Sequence, residues 1–489
     1  MTAPAIAAPP AAAIRRASAC VRVDGAALDL HYRVAGSGPP LFVLHPSPLD
    51  SGFLAPLMTR LADRVTVIAP DTPGFGDSDP LPGPLHDLAP CVRAMSALRR
   101  ALGLDRVAVY GSATGAQIAV EWAKAEPDAL CGVMLDNAAD FDDAERERIT
   151  AGYLPDVTPS PDGGHLARAW HAAHDATLFF PWQYPAAENR ISPALGAPEA
   201  MHATARGYLR AGPRYEAVYR AAFRNERLEN LRPIAIPLVM LRWQGSILTR
   251  WTGRLDACNW GPNVTMAHCG PSLEERWACL DTHLDHILPT RSVDAADLCL
   301  NTGRMRHVDA SFGQVRYTRG SEANQTRLLI PSPGACAAAV EAVVRDRDSI
   351  LDLPGHGGST LPEPLRLAHC VQALQRVTDA LGARHLEVAG VGVSDGIARA
   401  ATAADPRLVH ATLDLPGYSD PPPDLAPETS GAHLLRGWHW LREQFLARDE
   451  VPPEPARLTR MLLDLVDARA AHRALHAALD ADAGGAFRS

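Results

Sequence analysis

Imidazole, hydroxyl and carboxylate groups at His45, Ser47, Ser112, Thr114, Asp136, His165 and His268 are the side chains whose types suit acid–base or nucleophilic chemistry. Other chemistries leave little trace. No GxxxxGK[ST] loop is present to cradle a phosphate. Gly390, Gly392 and Gly396 are misspaced for a dinucleotide fingerprint. His171 and His174 stand three residues apart in AWHAAHD, but a third metal ligand is not evident, and no HExxH occurs. The nine cysteines are scattered without a CxxC pair, which points to reduced thiols in a cytoplasmic protein. Neither a metal nor a cofactor is expected.

The 489 residues are 47% hydrophobic and 21% charged, as in a globular chain of two or three domains. A net charge of −9 argues against nucleic acid or an anionic membrane as the main partner. No apolar run reaches the roughly 18 residues of a membrane span. Lys124 is the only lysine among 47 basic residues, an Arg bias typical of a GC-rich bacterial genome. Residues 1–20 open on an Ala/Pro-rich stretch whose Arg15 and Arg16 follow the apolar run, the reverse of a secretory signal, and read as a flexible tail.

An internal repeat organises the rest. LFVLHPSP at 41–48 is answered by RLLIPSPG at 327–334, APDTPGFGDSDP at 69–80 by LDLPGHGGSTLP at 351–362, and GGHLARAW at 163–170 by GAHLLRGW at 431–438. The three pairs keep their order, with small drifts that loop changes explain. One copy spans 21–290, a linker 291–304, and a shorter copy 305–489. In the first copy, short Val/Ile/Leu runs at 41–45, 65–70, 106–111, 130–136, 237–243 and 263–269 read as buried strands, separated by helices over 86–103 and 114–125. The second copy repeats the pattern in TRLLIP, SILDLP, HLEVAG and HATLDLP, without counterparts of the last two strands. The fold class is α/β: a mostly parallel sheet in each copy with helices on both faces, the second copy truncated. Its incomplete sheet should pack on the first copy or on a second chain, as in a homo-oligomer.

The order of strand, HPSP loop, strand, DTPGFGDSD, helix, strand, GSATG, helix, strand and LDN resembles the α/β-hydrolase fold, fully in the first copy and partly in the second. The resemblance implies a helical cap, which fits 141–232, and a small-molecule substrate. It also implies a nucleophile at the centre of Gly111-Ser112-Ala113-Thr114-Gly115, where the residue is Ala113, native or a replacement of serine. Gly392 holds the matching place in the second copy. The oxyanion loop falls on His45 and Ser47, with the N–H of Thr114 beside it. The resemblance puts the acid at Asp136 and the base at His268, and Ser112 is an alternative nucleophile one residue early. His165 and Trp170 lie in the cap, either roofing the pocket or packing on the core. A methyl group cannot attack a carbonyl. Two readings follow: hydrolysis of a small carbonyl or ester-type molecule by activated water, with His268 oriented by Asp136, or an inactive pseudo-hydrolase that serves as a binding or scaffolding module.

Overall fold

The computed structural model describes residues 13–418 and 421–482. Of these, a first unit holds 13–158 and 168–300, and a second holds 159–167 and everything from 301 onward.

The first unit contains β1 (Arg15–Val23), β2 (Ala26–Ala35), β3 (Ser37–Gly38), β4 (Pro40–Leu44), β5 (Thr66–Pro70), β6 (Val107–Ser112), β7 (Leu130–Asp136), β8 (Leu238–Trp243), β9 (Val264–Cys269) and β10 (Val293–Asp294). Eight of them form one sheet in the order β1-β2-β5-β4-β6-β7-β8-β9. β1, β2 and β5 pair antiparallel, and every pair from β5–β4 onward is parallel. All residues of β4, β5 and β6 are buried, as strands covered on both faces require. Five helices between β7 and β8, from Asp143–Thr150 to Leu228–Leu231, occupy the place expected for the cap.

Two boundary expectations need correction. Residues 15–20, read as tail, begin β1, because each of them is matched against β2 in a nine-residue register; residues 1–12 lie outside the described set. Residues 293–300, read as linker, belong to the first unit. β10 pairs with β3, and Tyr32 Oη donates to the Leu298 carbonyl at 2.5 Å.

The second unit has β11 (Met305–Ala310), β12 (Gly313–Thr318), β13 (Arg327–Ile330), β14 (Asp348–Leu351), β15 (Leu386–Gly390) and β16 (Leu408–His410), in the order β11-β12-β14-β13-β15-β16. That order reads like the first six places of the eight-stranded sheet. HATLDLP does not form the strand expected of it. β16 ends at His410, and Ala411 N–H still reaches the Val388 carbonyl before the chain turns irregular toward Pro416.

Both units build the same turn with the same bonds. In the first, Ser78 Oγ donates to the Asp71 carbonyl at 2.9 Å and receives the His31 N–H at 3.0 Å. In the second, Ser359 Oγ donates to the Asp352 carbonyl at 2.8 Å and receives the Arg316 N–H at 2.8 Å. Asp71 accepts from His31 Nδ1, and Asp352 from Arg316 Nε. The glycine at the corner, Gly76 or Gly357, is obligatory in each: a Cβ would stand 2.1 or 2.3 Å from the aspartate carboxylate. The start of the repeated helix also matches. Arg168 Nε donates to the Asp156 carbonyl, and Arg436 Nε to the Asp424 carbonyl.

Candidate functional site

Ala113 joins β6 to the helix Thr114–Ala125 with φ 48° and ψ −112°. An L residue rarely adopts this conformation, because its Cβ crowds the backbone. The turn survives through two glycines. A Cβ on Gly111 would lie 2.3 Å from the Gly115 carbonyl oxygen, and one on Gly115 would lie 2.2 Å from that of Leu44. The sequence folds here into a tight elbow with a methyl group at its apex. Ala113 N–H is spent on the Asp136 carbonyl at 3.0 Å.

Ser112 is buried and lies in register with Asp136, two residues after Tyr110. Strand alternation puts it on the face of Tyr110, not at the apex. Thr114 opens the helix, and its Oγ1 is buried without a hydrogen-bond partner among the described residues, as is Ser47 Oγ. Both hydroxyls follow the C-terminal ends of adjacent strands, where Leu44 of β4 pairs with Gly111 of β6.

His45 is a structural pin. Thr72 N–H donates to its Nε2 at 2.9 Å, so Nδ1 carries the proton that goes to the Pro46 carbonyl at 3.1 Å. No ring nitrogen remains for a substrate.

The expected Asp136–His268 pair does not form. Asp136 is fully buried, and its Oδ2 accepts from Arg276 Nη2 and Tyr110 Oη. Burial and then the Asp136 charge drive the Tyr110 phenol well above its ordinary range. Arg276 comes from the helix Leu273–His283, whose start is fixed by a capping box between Ser272 and Glu275, and lies 4.7 Å over the Trp243 ring. His268 is exposed, two strands away on β9 and opposite Arg242. The row of Asp136 continues through Leu241 to Ala267, so His268, one residue on, takes the other face. Its charged neighbour there is Asp256, which is gripped by Arg242 at 2.7 and 2.8 Å and held below the usual carboxylate range by Arg242 and, less, by His268.

The cap residues part company. Trp170 is buried in the first unit. His165 packs within the second: Ser160 N–H donates to its Nδ1, Nε2 meets Thr459 Oγ1 at 2.9 Å, and its ring stands edge-on to Trp438 at 5.2 Å. This corrects the pocket role for His165, since both nitrogens are engaged in that core.

Glu226 was not singled out by its sequence, where NERLEN reads as an ordinary polar helix end. Its carboxylate receives the Ala139 N–H at 2.8 Å, just beyond β7, and burial pushes its pKa up to about 8. In the cap nearby, Tyr219 and Phe223 stack, and Tyr153 stands edge-on to both. No group of three His, Cys, Asp or Glu side chains is arranged for a metal among the described residues; His171 and His174 both turn to Asp175.

In the second unit Gly392 holds the matching apex with φ 57°. A Cβ there would lie 2.9 Å from Gly417 Cα, so the following loop fills the space a nucleophile would need.

Residues 39–177 match the family of the alpha/beta hydrolase fold. Over this stretch the chain is similar to the α/β-hydrolase superfamily. Its similar curated proteins include haloalkane dehalogenase 2 of Mycobacterium bovis, 32% identical over 108 residues, covering 22% of this chain and 38% of that protein. The 2-(acetamidomethylene)succinate hydrolase of Mesorhizobium japonicum is 33% identical over 139 residues, 27% of this chain and 49% of that one. A soluble epoxide hydrolase of a Corynebacterium species is 38% identical over 95 residues, 19% and 32% of the two chains. The matches thus span between about a third and a half of these relatives. No helix among the described residues is long and apolar enough to cross a membrane.

Proposed function

We propose that the first unit binds a small carbonyl or ester-type molecule without forming an acyl-enzyme, and that the chain is a catalytically silent member of the superfamily. The observation that carries this reading is the fully built elbow with Ala113 at its apex. The positions of Asp136, tied to Arg276, and of exposed His268 support it further. The test is hydrolysis of a panel of short esters, epoxides and haloalkanes alongside direct binding of the same compounds. Saturable binding with no turnover above the buffer rate is expected. Turnover that His268→Ala removes overturns the reading.

One observation favours the second reading, hydrolysis by activated water. A carboxyl group with its pKa near 8 is partly protonated at neutral pH and can donate or accept a proton, and Glu226 is such a group beside the end of β7. Under that reading Glu226→Gln removes the rate and His268→Ala does not.

We also propose that the two units arose by duplication and that the second is a shortened copy retained for structure. The matched bonds around Asp71 and Asp352 and the filled space at Gly392 support this. The β16 edge, with Val409 53% exposed, is where a second copy of the chain would pair. The nine free cysteines favour a cytoplasmic setting.

A further inference from the structure

A cavity of about 510 Å³ in the second unit lies between the proline run 421–423, Leu425 and Leu465 on one side and the helix Arg469–Asp482 on the other. That helix presents Arg469, His472, Arg473 and His476 to the cavity. Their spacing of i, i+3, i+4 and i+7 makes one face. The i,i+4 pair Arg469–Arg473 is like in charge, an arrangement that weakens a helix.

Elsewhere the chain's arginines are mostly paired with carboxylates, as Arg242 is with Asp256 and Arg407 with Asp405. Arg473 has neither an ion pair nor a hydrogen bond among the described residues, and Arg469 spends one Nη1 on the Val466 carbonyl at 2.9 Å. The His472 and His476 rings lie 4.5 Å apart, tilted by 43° to one another. His472 is buried, and burial, followed by the neighbouring His476, His356 and Arg473, pushes its pKa down to about 4. Asp424 is the one acid in the lining, and its Oδ1 already accepts the Ala426 N–H at 3.0 Å. The wall is therefore positive and under-neutralised, and the opposite wall is apolar.

We propose that this cavity binds a small monocarboxylate with an apolar body. The carboxylate sits against the guanidinium of Arg473, with Arg469 beside it, in the paired N–H geometry that planar oxyanions favour. The apolar body lies on Leu425, Leu465 and the prolines. The site is separate from the elbow of the first unit and does not rest on the function proposed for it.

The test is calorimetric titration of the full chain at pH 7 with octanoate, using octanol as the neutral probe of equal length and inorganic phosphate as the apolar-free anion. Octanoate should bind saturably at one site, with octanol and phosphate each at least tenfold weaker. Arg473→Gln should weaken octanoate at least tenfold while the unliganded melting temperature stays unchanged. Pro422→Glu, which puts a negative charge on the half-exposed part of the apolar wall, should weaken it similarly. Absence of saturable octanoate binding, equal binding of octanol or phosphate, or indifference to Arg473→Gln overturns the proposal.

Discussion

Removing Arg276 tests whether Asp136 is a structural carboxylate. Asp136 has no exposed surface, and its partner Arg276 has a side chain only 16% exposed. Arg276→Met keeps much of the stem that packs over Trp243 but leaves a buried carboxylate with Tyr110 as its remaining partner. Breaking one side of a buried pair costs about 3–5 kcal/mol. At roughly 2–4 °C per kcal/mol for a unit of this size, the first unit should melt about 6–20 °C lower. Adding Asp136→Asn to Arg276→Met removes the stranded charge and should recover more than half of that loss, because the two residues couple. Scanning calorimetry, with hydrogen exchange at β6 and β7 to assign the transition, reads both effects. A shift below about 2 °C for Arg276→Met, or no recovery in the double variant, would refute the structural role and return Asp136 to the site.

The other predictions concern the elbow, pH and the second unit. Ala113→Gly relieves a backbone conformation that costs an L residue about 1–2 kcal/mol, so the first unit should melt higher; a lower melting temperature contradicts the strain. Gly115→Ala drives a Cβ to 2.2 Å from the Leu44 carbonyl and should destabilise by several kcal/mol, read by the same scans. The Glu226 pKa is raised from 4.5 to about 8, so the folded state binds the extra proton, and stability should fall as pH rises between those values. Glu226→Gln should flatten that decline in pH-dependent denaturation. Residues 301–489 expressed alone lack the 159–167 segment, which places His165 against Trp438 and Thr459. The fragment should aggregate, and a sharp, reversible melt would count against the division into units.

Much of the scaffold could be read from the sequence. The apolar runs of β4, β5 and β6 are legible because both faces are covered, and the glycines of 111–115 announce the elbow because no Cβ fits there. What failed was long-range pairing. Asp136 meets Arg276 across 140 residues, and nothing in either local segment signals it. His165 finds Thr459 across 294 residues, so a helix that looked like a pocket roof supplies part of another core. β16 stops early although HATLDLP alternates like a strand, since Pro416 and the irregular chain before it leave no ladder to extend. Glu226 stood out only once its burial was known, because polar residue type alone predicts exposure.

We propose that the elbow is built but cannot be completed into a working nucleophile, because His268 faces away from it. Intact-mass analysis of folded Ala113→Ser after incubation with p-nitrophenyl acetate tests this most directly. An unmodified chain and no burst of nitrophenol are expected. A stoichiometric acetyl adduct mapped to position 113, lost when His268→Ala is added, would contradict it.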